Sequence, residues 1–419
     1  MRNKKFSLGP VAVVAAFAMA TLMTAPRAEA QTVKVIHSFR NAGFTPGGYN
    51  PSGGLIFDSA GNLYGTDQNS GTYDGGTVYE LMPNGSGGWT QKVLYNFNVN
   101  AKDGYAPYSN VVFDAAGNLY GTTNVGGAHN LGTVYKLTPG TGGVWTEQVL
   151  HSFGGGTDGT YPWAGLVVDA VGNLYGTASQ GGTNSGGIAF ELKHASNGRY
   201  VERVLHNFGS GADGLYPIGG LLMDASGNLY GTTQDGGVYF GGRGTVYELK
   251  PQGGGNWAET LLHSFGNGQD GEYPQTALIF DSAGNLYGTT YQGGTRLNGT
   301  VFQMTPTGGG SWSETVLYNF DDPNLSEGIL PSSGVIMDSA GNLYGETAQG
   351  TGNTFYGSVF KLTPGTAGTW AETQMVKFAH QNFGSQPEGG LILDSLGNLY
   401  GTTESGGLGG GGIVFEVTP

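Results

Sequence analysis

The 419-residue chain contains no cysteine. That excludes disulfides, thiolate metal sites, cysteine nucleophiles and a lipid-modified N-terminal cysteine. Charge is scarce as well: Asp, Glu, Lys and Arg together make up 11% of the residues, and 17 basic side chains face 31 acidic ones. So few cations cannot neutralise a phosphate backbone, which excludes nucleic acid as a partner, and an anionic membrane surface would repel the chain. Helical periodicity is missing beyond the first 30 residues. Long apolar runs are missing too, with one exception between Val11 and Met23.

That run follows Arg2, Lys4 and Lys5 and precedes Ala28-Glu29-Ala30, the layout of a cleaved export signal. It is short for a bilayer span. The expectation is a signal peptide over 1–30, one domain over 31–419, and no membrane span after cleavage. The leader takes four basic residues and one acidic one, leaving 13 against 30 and a net charge of −17. Without disulfides, such an exported chain must hold together by burial and hydrogen bonding, and its length permits that.

What is abundant is glycine, 81 residues, beside 12% aromatics. Disordered glycine-rich chains lack those aromatics, so the combination points to many short strands joined by tight turns. The pentapeptide Gly-Asn-Leu-Tyr-Gly begins at Gly61, Gly117, Gly172, Gly227, Gly284, Gly341 and Gly397. A period near 55 residues marks a repeat architecture. Each unit reads as four strands, exemplified by Leu55–Asp58, Leu63–Thr66, Thr245–Leu249 and Trp145–Phe153.

The ends decide how the units are arranged. The domain starts with an orphan fourth strand, Val33–Phe39, and its last unit stops after a third strand, Ile413–Pro419. Pairing the two completes a seventh sheet and removes the open edge, whereas a linear stack would call for atypical capping repeats. The expected fold is therefore all-β: a seven-bladed β-propeller with four antiparallel strands per blade, the last blade closed by the N-terminal strand.

Most repeated residues read as architecture. Asp-x-x-Gly-Asn, as in Asp58–Asn62, fits a hairpin in which Asp accepts backbone N–H groups and Gly takes a positive φ. It has too few oxygen ligands for calcium. A compact residue precedes each first strand (Gly54, Asn110, Gly165, Gly220, Ala277, Gly334, Gly390), fitting the crowded axis. Strand four carries Trp89, Trp145, Tyr200, Trp257, Trp312 or Trp370, and a Phe eight residues on; even spacing puts both on one strand face. His37, His151, His206 and His263 share one repeat position, from which outer strands of different blades cannot converge on a metal. No metal or cofactor is expected, and the protein is expected to be a monomer.

Function is expected on the face whose loops vary while the scaffold repeats. Asp-Gly-x-x-Pro places Asp103, Asp158, Asp213 and Asp270 there, with Glu327 as a variant; the alternative reading is a turn stabilised by Asp. Aromatics accompany them: Tyr161, Trp163, Tyr239, Phe240 and Tyr356, with Tyr73, Tyr105, Tyr216, Tyr273 and Phe355. Rings beside carboxylates suit stacking and hydrogen bonding to sugars, although loop aromatics also pack on blade tips.

The unit Gly-Asn-Leu-Tyr-Gly-Thr-Thr to Gly-Thr-Val-Tyr-Lys-Leu-Thr-Pro, from Gly117 to Pro139, with Val149–Phe153, resembles the GloVer tandem repeat of bacterial choice-of-anchor proteins. The likeness recurs seven times and covers residues 31–419. It implies an exported or surface-located bacterial protein and brings no catalytic residues with it. Members often carry a C-terminal sorting anchor; this chain stops at Pro419, so release into periplasm or medium is expected. The leading expectation is a non-enzymatic binding scaffold, with a glycan or an envelope protein as partner. The alternatives are a polysaccharide lyase or hydrolase at the channel mouth, using non-repeated residues such as His129, Arg243, Arg296 and Glu327, and a cell-envelope interaction module.

Overall fold

The computed structural model describes residues 32–40, 47–100, 102–154, 156–239, 241–321, 328–350, 356–378 and 383–418. Within them each repeat forms an antiparallel sheet whose strands lengthen outward. In the first blade a two-residue inner strand, Ile56–Phe57, pairs with Leu63–Asp67, which pairs with Asp74–Pro83, which pairs with Trp89–Asn98. The seventh sheet runs Ile392–Leu393, Leu399–Thr403, Gly410–Thr418 and then Thr32–Arg40. Its outer strand comes from the other end of the domain, paired from Thr32 opposite Thr418 to Arg40 opposite Gly410, with slips between Val35 and His37 and between Ser38 and Arg40. The ring is closed by the expected pairing.

Closure is also visible in the core. Seven apolar clusters each join one blade to the next, and the cluster of Ile36, Phe39, Val414 and Tyr400 with Leu55, Leu63, Tyr79 and Leu81 joins the seventh blade to the first. Burial is therefore spread round the ring rather than gathered in one centre. In strand four the structure corrects the sequence reading. Trp89 packs with Tyr400 of the preceding blade, their ring centres 6.5 Å apart, while Phe97 packs with Tyr135 of the following blade at 4.9 Å. The pair sits on opposite faces because the ladder slips between Val78 and Tyr79, which face Tyr95 and Val93. A bulge of one residue reverses side-chain parity, and the same slip recurs in the other blades.

The tight turns are as expected. Asp58 accepts the N–H groups of Ala60 and Asn62 on one oxygen and the Asn62 amide and Tyr64 hydroxyl on the other. Partial burial raises its pKa, but these four donors outweigh it and hold the carboxyl below its ordinary value.

Two further devices lock neighbouring blades together. In six blades a strand-two threonine donates its hydroxyl to a carbonyl of the next blade: Thr66 to Ser109, Thr122 to Ala164, Thr177 to Gly219, Thr232 to Thr276, Thr289 to Ser333 and Thr402 to Gly53. The glycine opening strand three, such as Gly132 at φ +104°, lies against the proline of the next blade; a Cβ there would stand 2.5 Å from Pro162 Cδ. Only glycine fits that approach.

Candidate functional site

The loop from each outer strand to the next inner strand has two halves with different duties. In the first half, Asp158, Asp213 and Asp270 receive His151, His206 and His263 Nε2 at 3.2, 2.9 and 3.2 Å. Tyr95 donates to Asp103 in the same way at 2.9 Å. The repeated histidines and acids are thus two ends of one clamp that ties the loop to the outer strand.

In the second half the residue before proline takes a left-handed backbone in all seven repeats: Asn50, Ala106, Tyr161, Tyr216, Tyr273, Leu330 and Gln386, with φ between 55° and 60°. Backbone bonds hold this strained turn. The Tyr161 N–H donates to Leu131 of the preceding blade, and its carbonyl accepts from Ser179. The turn then aims the residue after proline at the axis, where Ser52, Tyr108, Trp163, Ile218, Gln275, Ser332 and Glu388 meet. Seven repeats thus deliver seven side chains, of six kinds, to one ring.

Those residues line a cavity of about 770 Å³, within the usual range for small-molecule sites. Tyr216, Tyr291, Gln180 and Gln234 add to the wall, and the seven compact residues preceding the inner strands all lie along it. Trp163 and Tyr108 meet edge to face, ring centres 4.7 Å apart, and Trp163 keeps 37% of its surface exposed. The Tyr108 hydroxyl donates to Glu388 Oε2 at 3.2 Å. Burial and then the charge of Glu404 raise the Glu388 carboxyl to about 7, against the pull of the Tyr108 hydroxyl. Burial and the Glu388 charge raise the Tyr291 phenol in turn.

One blade departs from the threonine pattern. Glu346 stands where the others have Thr, fully buried, and its Oε2 accepts the Gly390 N–H at 2.9 Å. Gly390 has φ +83°. Burial pushes the Glu346 carboxyl up to about 8, with hydrogen bonds from Gly390 and Ser333 opposing and the Glu388 charge adding.

Of the residues expected at the site, Trp163 lines the cavity, and so does Tyr216 from the accompanying aromatics. Asp103, Asp158, Asp213 and Asp270 do not, because the clamp holds them at the outer strand. Tyr161, Tyr239 and Tyr356 are also absent from the cavity wall. Glu327 and Phe240 lie outside the described residues. Among the non-repeated candidates for catalysis, Arg243 pairs with Glu272 at 3.2 Å and bonds Tyr273, while His129 and Arg296 are exposed. Sequence reasoning passed over Tyr108, Gln275 and Glu388. Their signal was an in-register position after an invariant proline that hardly ever repeats its side chain. Glu346 carried a similar signal, Leu-Tyr-Gly-Glu in place of Leu-Tyr-Gly-Thr. No group of three or more metal-binding side chains is found among the described residues.

Seven blades round a channel whose wall is built from non-repeated side chains define a β-propeller with an axial cavity. The chain belongs to the Gloeobacter/Verrucomicrobia repeat family, whose model matches residues 20–242, 132–326 and 218–419. No curated protein sequence matches it. Among solved structures it is similar to an ancestral GH74 enzyme, with a TM-score of 0.55 and 13% identity over 88% of this chain and 48% of that one. It is also similar to the periplasmic gluconolactonase of Pseudomonas aeruginosa, with a TM-score of 0.49 and 14% identity over 83% and 93% of the two chains. A third is PorZ, a surface component of the type-IX secretion system of Porphyromonas gingivalis, at 0.39 and 12% over 86% and 46%. The chain spans about half the length of the GH74 enzyme and PorZ structures. At these identities the likeness to the GH74 enzyme speaks for the fold alone. Among the described residues, no helix is long and apolar enough to cross a membrane.

Proposed function

We propose that this protein is an exported binding propeller whose axial cavity takes a saccharide. The observation that carries the reading is the exposed Trp163 ring, braced edge-on by Tyr108 at the mouth of a cavity walled by glutamines, serines and Glu388. A flat apolar ring surrounded by amide and hydroxyl groups matches a sugar, which offers C–H faces to the ring and hydroxyls to the rim. Calorimetry against a panel of oligosaccharides tests it. At least one should bind the wild type, and Trp163→Ala should weaken that binding about ten-fold or more, equal to at least 1.4 kcal/mol. A panel that fails altogether refutes the saccharide reading. Export rests on the residue 1–30 pattern, and sequencing the N-terminus of the secreted protein should place Gln31 first.

One observation favours a second reading, hydrolysis. A carboxyl held near pH 7 inside a cavity has the protonation behaviour of a general acid. Release of reducing ends from a bound oligosaccharide, lost in Glu388→Gln, would identify it.

A further inference from the structure

We infer that the saccharide bound in the axial cavity is an amino sugar, its ring on Trp163 and its ammonium group on Glu388. The inference rests on the saccharide reading and adds the charge of the ligand. Among the described residues lining the cavity there is no Lys, Arg or His, and Glu388 is the one charged side chain. Tyr108 bonds that carboxylate, Tyr291 feels its charge, and Trp163 and Tyr216 line the same cavity. Ring faces and a partly desolvated carboxylate are the combination that binds ammonium groups. A sugar acid or phosphate would meet Glu388 with no cation to offset it, and the whole chain carries a net charge of −14 that deepens the penalty. A neutral sugar would leave the carboxylate buried without a counter-charge.

The groups that bear on Glu388 are Tyr108 on one side, Glu404 beside it, and Tyr291 and Glu346 within its electrostatic reach. All are acidic or phenolic, so the free site is short of one positive charge. Because Glu388 sits near pH 7, it is largely protonated in mildly acidic solution. An arriving ammonium group displaces that proton, so binding at pH 6.5 is accompanied by proton release.

The test is calorimetry at pH 6.5 in two buffers of different ionisation heat, with a glucosamine hexamer, its N-acetylated counterpart and putrescine as probes. The expected result is a preference for the glucosamine hexamer over the acetylated one of at least ten-fold, with proton release. In Glu388→Gln, melting as the wild type does, the preference should fall to near unity. In Trp163→Ala both hexamers should weaken. Equal binding of the two hexamers overturns the amino-sugar inference and leaves the saccharide reading standing. Putrescine binding as tightly as the glucosamine hexamer overturns it too, since a bare cation would then suffice. Binding of neither hexamer refutes the inference, and the saccharide reading falls only if the wider panel fails as well.

Discussion

Replacing Glu346 by the threonine of the other six blades should stabilise the protein, and by an amount that depends on pH. The carboxyl titrates near 8 in the folded chain against an ordinary value of 4.5. Between those pH values the folded protein holds a proton that the unfolded chain has released, so stability declines as the pH rises through the window. At 1.36 kcal/mol per pH step, the loss reaches about 3 kcal/mol at pH 7. The side chain is fully buried, so solvent screening does little to reduce it. In Glu346→Thr the loss disappears, and the hydroxyl is placed to donate to the Gly389 carbonyl as its six counterparts donate elsewhere. A ring of this length has an unfolding entropy of about 0.8 kcal/mol/K, so 3 kcal/mol corresponds to a rise in Tm of roughly 4 °C. Urea unfolding followed by tryptophan fluorescence at pH 5, 6, 7 and 8 measures it, and other titrating groups cancel in the difference between the two proteins. The variant's advantage should be small at pH 5 and widen steadily. Glu346→Gln separates the titration from the shape of the clasp, since it should widen alike without restoring the threonine bond. Parallel curves for wild type and both variants across this range would refute the reasoning.

Gly132→Ala puts a methyl group 2.5 Å from Pro162 Cδ at φ +104° and should cost about 1–3 kcal/mol in urea unfolding; Gly142→Ala, also at positive φ but with open space, should cost less. Asp213→Asn weakens the His206 clamp and should lower stability by about 1–3 kcal/mol while leaving ligand affinity unchanged in calorimetry. An affinity loss without a stability loss would mean that Asp213 faces ligand after all. Phe208→Ala empties a fully buried site between the third and fourth blades and should cost about 3–5 kcal/mol by the same unfolding assay. Tyr108→Phe removes the donor that lowers Glu388, so the Glu388 carboxyl should titrate higher still, read by carbon NMR on glutamate-labelled protein.

The ring was legible in the sequence because each of its causes is local or strictly repeated. Asp58 and Gly61 dictate a turn through their own backbone preferences, and the surplus strand Val33–Phe39 matches the strand missing after Ile413. The fourth-strand faces were misjudged because parity survives only while the ladder stays in register, and the slip opposite Val78 and Tyr79 is a property of two strands, not one. The site was half legible. Asp158 shares a loop with Trp163, as Asp103 does with Tyr108, Asp213 with Ile218 and Asp270 with Gln275, yet the clamp to the outer strand and the left-handed turn before proline send the two ends of each loop to different places. Distance from the axis is set by how the chain crosses the blade, and no spacing along the sequence encodes it. Tyr108 and Glu388 are 280 residues apart; only closing the ring brings their side chains within a hydrogen bond, and only burial in that ring moves Glu388 to where it titrates.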